Sequence, residues 1–147
     1  MRLDRSLRTL GLIFAASCAN VIEPDPLLPS LLGAPTELSL DGVVFEAEAF
    51  AWRDFQPGVG GDRSSLNVLV TVEADSPAAT IDRVWAIRGS EVWGSEVTAV
   101  EGTSDWIARG GPRWEPETTI QVVIQVRDAS LSKHLLRRPS VLIGAPQ

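Results

Sequence analysis

From residue 37 onward, apolar residues recur at every second position in short runs, and no other feature of the chain restricts its fold so strongly. The clearest run is Thr119–Arg127 (TIQVVIQVR). Ile120, Val122, Ile124 and Val126 share one parity; Gln121, Val123, Gln125 and Arg127 share the other. Successive side chains of an extended chain point to opposite faces, so a period of two with β-branched residues marks a half-buried strand. Asn67–Glu73 repeats the pattern and predicts Val68, Val70 and Val72 on the inward face. Ile81–Arg88, Glu91–Val100 and Val43–Trp52 are further runs, and Glu37–Leu40, Asp105–Arg109 and Ser132–Arg137 are shorter ones. Within the Ile81 run, Trp85 shares a parity with Ile81, Arg83 and Ile87.

Turn residues fall between the runs. Asp41-Gly42 is a tight-hairpin signal. Gly58, Gly60 and Gly61 mark a loop, and Asp75-Ser76-Pro77, Gly89-Ser90, Gly110-Gly111-Pro112 and Pro116 mark further turns. No segment after residue 36 shows helical periodicity. Seven or eight short strands, spaced roughly ten residues apart, predict an all-β domain over residues 37–147, a sandwich or small barrel, of which we favour the sandwich. In architecture it resembles an antiparallel β-sandwich of the immunoglobulin or fibronectin kind. The buried cysteine pair of antibody domains has no counterpart here, because the chain has one cysteine.

Composition sets the remaining bounds. A length of 147 residues suits one domain, and 44% apolar residues supply a real core. With one cysteine no intramolecular disulfide can form, so packing alone must stabilise the domain. The formal charge is −6, and without residues 1–17, which hold Arg2, Arg5, Arg8 and Asp4, it becomes −8. Phosphate backbones repel such a chain, which argues against nucleic acid as a partner.

The N-terminus reads as an address. Three arginines precede the uncharged run Leu10–Ala16. Seven residues are far short of the roughly 20 that a membrane span needs, but they suit the core of a secretory signal. Ala15-Ala16-Ser17-Cys18 then resembles the lipobox of bacterial lipoproteins, departing from it at Ala15, where the family pattern carries leucine. The resemblance implies a signal peptide over residues 1–17, cleavage before Cys18 and acylation of that cysteine with palmitate-type chains. It also implies a membrane partner through the lipid. Ala19, in place of aspartate, implies the outer membrane, facing periplasm or cell surface. A plain secretory signal is the alternative. Residues 18–36 carry Pro24, Pro26, Pro29 and Pro35, which suit an extended tether. Leu27, Leu28, Leu31 and Leu32 within it either dock on the domain or form a short helical turn after Pro29.

Little in the chain points to catalysis. His134 is the only histidine, so any Ser-His-Asp or Cys-His unit would have to use it. It reads as structural. No GxSxG turn or P-loop occurs. Zinc ligands are too few and calcium-loop spacing is missing, so we expect no catalytic residue, metal or cofactor. Asp54 and Asp62 flank the Gly58–Gly61 loop, and Glu46 and Glu48 share one face of a strand; both pairs read as solvated carboxylates.

Tryptophan and arginine are the more informative pair. Trp52, Trp85, Trp93, Trp106 and Trp114 lie near Arg53, Arg83, Arg88, Arg109 and Arg113. One reading is a binding surface of Trp114, Arg113, Trp52, Arg53 and Trp93, stacking saccharide rings or a peptide. The other places indoles in the core with arginines over their edges. Trp114, behind a Gly-Gly-Pro turn, is expected to be partly exposed. Segments such as Trp52–Pro57, Val84–Gly89 and Val126–Asp128 are similar to those of small uncharacterised secreted bacterial β proteins, a resemblance that implies no activity. The expected function is a non-catalytic, envelope-anchored binding or interaction module, its partner an envelope protein or a saccharide. The alternative is an inhibitor or assembly accessory of a secreted enzyme, acting through the Gln56–Ser65 loop. A hydrolase is least supported. Oligomeric state is not legible in the sequence.

Overall fold

The computed structural model describes residues 25–53, 65–74 and 79–144. One short helix, α1 (Leu28–Leu32), precedes nine strands. These are β1 (Glu37–Leu40), β2 (Val43–Arg53), β3 (Leu66–Ala74), β4 (Thr80–Arg88), β5 (Glu91–Glu96), β6 (Thr98–Ala99), β7 (Asp105–Gly111), β8 (Thr119–Arg127) and β9 (Lys133–Gly144). They form one sheet in the order β5-β4-β8-β9-β2-β3-β7-β6, with β1 paired to β2. The all-β reading therefore holds. The sheet curls into a nearly closed, barrel-like form.

Asp41 and Gly42 join β1 to β2 with φ of 51° and 79°. Two consecutive positive φ angles make the primed turn whose twist matches that of a hairpin. The paired strands are antiparallel except where the end of β9 runs parallel to β2, at Ala51–Ile143 and Trp52–Gly144. The Glu91–Val100 run breaks at Val97 into β5 and β6. The last strand extends beyond the expected Arg137, through Pro139. Proline is tolerated there because the register with β8 slips between Val122–Arg138 and Ile120–Val141.

The inward face of β8 is the predicted one: Ile120, Val122, Ile124 and Val126 are buried, as are Val68 and Val70 of β3. Ala47, Ala49 and Ala51 of β2 fill the same interior with small side chains. On β4 the expected parity changes midway. A register shift between Ile81 and Arg83 makes Asp82 an extra residue. Ile81, Val84 and Ala86 therefore point into the barrel, whereas Trp85 and Ile87 point out. This corrects the shared face assigned to Ile81 and Trp85.

A second, smaller core lies outside the barrel. Trp85, Ile87 and Val123 pack beneath Leu31 and Ala34, with Leu28, Leu32 and Leu135 around them. Leu28, Leu31 and Leu32 thus both form a helical turn and dock, whereas Leu27 before the helix is exposed. Pro29 sits in the first turn of α1, where its missing N–H costs nothing. Arg137 fastens the exit from α1: its backbone N–H donates to Pro35 O at 2.8 Å, its Nε to Ala34 O at 3.0 Å and its Nη1 to Gln121 Oε1 at 2.9 Å. No described helix is long and apolar enough to cross a membrane.

Candidate functional site

Of the Trp and Arg residues singled out in the sequence, Trp52, Arg53, Trp93, Arg88 and Trp114 gather at one end of the barrel. Trp52 and Arg53 close β2, Leu66 opens β3 opposite Arg53, and Gly111 closes β7 opposite Leu66. Trp93 of β5 lies over Gly111; a Cβ there would sit 3.0 Å from the indole carbons. Trp114 follows at 5% exposure, inside the barrel core. Its expected exposure is corrected: the Gly-Gly-Pro turn carries the chain back over the barrel end and drives the indole inward. Arg88 stacks 5.1 Å from the Trp114 ring centroid, and Arg53 Nη1 donates to Trp114 O at 3.2 Å. Arg83 lies similarly over Trp85, at 5.7 Å. In these pairs the guanidinium covers an indole that packing has buried, which matches the second of the two readings. Trp52 and Trp93 are half-buried and Arg113 is exposed at the same barrel end.

Other singled-out residues are dispersed. His134 Nε2 lies 2.9 Å from Asp128 Oδ2 in the β8–β9 turn. Asp128 Oδ1 accepts the backbone N–H groups of Ser130 and Ser132. The His134 contact, helped by those N–H groups, holds the Asp128 carboxyl below its ordinary range against the opposing effect of burial. Glu48 pairs with Arg138 at 3.5 Å. Among the described residues no group of three or more His, Cys, Asp or Glu side chains is placed to hold a metal ion. Cys18, Asp54, Asp62 and the Gly58–Gly61 loop lie outside the described residues, as does all but Ser65 of the Gln56–Ser65 loop.

A different feature faces solvent. Phe50 of β2 is 62% exposed and Leu142 of β9 is 53% exposed. Ala51 and Ile143 are register partners with both side chains inward. One step back along both strands therefore places Phe50 beside Leu142 on the outer face. Phe50 is the cross-strand partner of Leu69, and Leu69 of Ile107. Leu142, Phe50 and half-buried Leu69 thus form a continuous apolar row across three adjacent strands, running on to Ile107 of β7, which is buried. Sequence reading missed it, although half the signal was present: Phe50 falls on the parity of Glu46 and Glu48, the polar side of β2. Leu142 carried no readable parity, because the slip around Pro139 hides which way it points.

Compared with known protein families, with curated proteins and with solved structures, the chain matches none.

Proposed function

We propose that this protein is an envelope-anchored lipoprotein whose β domain is a non-catalytic binding module. The observation that carries the binding role is the outward pair Leu142 and Phe50, continued by half-buried Leu69, an apolar strip on a face that alternation otherwise makes polar. Contiguous exposed apolar surface marks interaction sites far more often than scattered single residues do. The anchor rests on the lipobox-like Ala15-Ala16-Ser17-Cys18. Docking of α1 gives that anchor a mechanical consequence. Ten residue steps separate Cys18 from Leu28, a reach of at most about 35 Å. The domain would stay close to the membrane and present its outer face to neighbours there. In the same reading the two halves of the sheet, joined through β9, correspond to a sandwich of the immunoglobulin or fibronectin kind.

Two experiments test the proposal. Cys18→Ser should move the protein from the membrane to the soluble fraction; an unchanged membrane fraction overturns the anchor. A photo-crosslinking phenylalanine analogue placed at Phe50 should give a discrete adduct with one envelope component in living cells. Equal labelling from the same analogue at Glu115 overturns the binding face.

A further inference from the structure

The apolar row has an acidic neighbour, and together they specify a partner; the inference rests on the face proposed above. Glu37 of β1 is the cross-strand partner of Glu46 of β2, and Glu46 is the partner of Glu73 of β3. All three are exposed. They project outward, since Glu46 shares the parity of Phe50. Carboxylates directly opposite one another destabilise a sheet, so this arrangement costs the domain something when it stands alone. Glu48, between the two rows, is paired with Arg138. Four residue steps along β2 separate Phe50 from Glu46, about 13 Å at strand rise. The two rows run side by side across β2 and β3, the anionic one continuing onto β1 and the apolar one onto β9.

We propose that this face binds a basic polypeptide segment. Aliphatic or aromatic side chains of the segment would rest on Phe50, Leu69 and Leu142, and its Lys or Arg side chains would meet Glu37, Glu46 and Glu73. The charge of the rest of the chain favours this occupant over others. A second copy carries the same net charge, −8 without residues 1–17, and an anionic lipid surface is repelled for the same reason. A cationic segment relieves the repulsion among the three glutamates while its apolar side chains cover the exposed row.

The probe is a fluorescein-labelled extended peptide, alternating with threonine, with two leucines towards one end and two lysines towards the other. Polarisation titrations use the domain at low and at physiological salt. Saturable 1:1 binding is expected, weakening as salt rises. Phe50→Ser and the double variant Glu46→Gln/Glu73→Gln should each weaken it about tenfold, the loss of one buried aromatic contact or two charge contacts. Glu101→Gln/Glu115→Gln, which removes the same charge elsewhere on the surface, should leave it unchanged. All these positions are exposed, and circular dichroism confirms that each variant is folded. Equal weakening by the control pair shows generic attraction to an acidic protein and overturns the proposal. So does insensitivity to Phe50→Ser, or no binding at millimolar peptide. Sedimentation showing dimers that Phe50→Ser dissolves makes a second copy the occupant and also overturns it. If the peptide fails while the Phe50 crosslink in cells persists, the binding face stands and only the partner's chemistry is wrong.

Discussion

Close approach at glycine and one ion pair on the bulge of β4 are the residue-scale features with measurable consequences. Trp85 lies against its cross-strand neighbour Gly94, so that a Cβ there would be 2.8 Å from the indole Cδ1 and 2.9 Å from Nε1. Trp85 is itself 2% exposed and pinned between the sheet and Leu31, so it cannot swing away cheaply. Gly94→Ala should therefore destabilise the domain by about 1–3 kcal/mol, the usual range for overpacking, read as a lowered denaturant midpoint. Asp82, the extra residue of the β4 bulge, accepts from Arg127 Nη2 at 2.7 Å, Arg127 Nε at 2.9 Å and Gln125 Nε2 at 3.2 Å. The Arg127 hydrogen bonds, with Gln125 assisting, hold its carboxyl below the ordinary range although burial opposes them. A carboxyl depressed in the folded state adds stability that is fully present above its unfolded pKa of about 3.9 and is lost as pH falls through its folded value. Asp82→Asn should thus cost about 1 kcal/mol at pH 7 and flatten the fall in melting temperature below pH 4. An unchanged acid slope in the variant would show that the pair does not couple folding to protonation.

At the scale of elements, α1 shows how a segment with no intrinsic stability becomes ordered. Five residues are too few for an isolated helix in water. Burial of Leu31 against Trp85 and Val123, together with the Arg137 clamp, must hold it. Leu31→Ala should destabilise by about 2 kcal/mol, at the low end for a buried leucine because a peripheral site can collapse. It should also speed hydrogen exchange of the Ala34 and Trp85 N–H groups before it affects β8. The strands themselves were largely legible, because a period of two survives wherever one face is buried and the other wet. Thr119–Arg127 and Glu37–Leu40 fall where alternation puts them. Legibility failed where backbone irregularity resets parity. The Asp82 bulge turned Trp85 outward, and the slip around Pro139 hid both the length of β9 and the direction of Leu142. It failed again at Trp114, because sequence shows the turn but not that the turn folds back over an open barrel end. Docking of the Pro-rich leucines was legible only as one of two alternatives, since the outer patch that receives them is built from β4, β8 and β9.

For the whole molecule, the decisive point is how the barrel closes. β5 and β6 are the terminal strands of the hydrogen-bonded order, so the ring is not completed by backbone pairing. The chain itself crosses the gap, β5 running into β6 through Val97, and side-chain packing supports that crossing, with Trp93 of β5 seated on Gly111 of β7. A seam held by packing should open locally at lower free energy than the continuous β4-β8-β9-β2-β3 ladder, because local stability follows buried contacts and shielded hydrogen bonds. Native-state exchange should therefore show β5 amides exchanging by local opening and β8 amides only with global unfolding. Trp93→Ala removes the bridge without touching the ladder. It should accelerate β5 exchange by at least tenfold, about 1.4 kcal/mol of local opening, while the gap between β5 and β8 protection widens. Parallel loss of protection in both strands would mean that the seam is as cooperative as the rest of the barrel, and that Trp93 contributes to one undivided core. A widened gap would instead identify the β5 side of the barrel as its yielding edge and leave the Phe50 face, carried on β9, β2 and β3, on the rigid side.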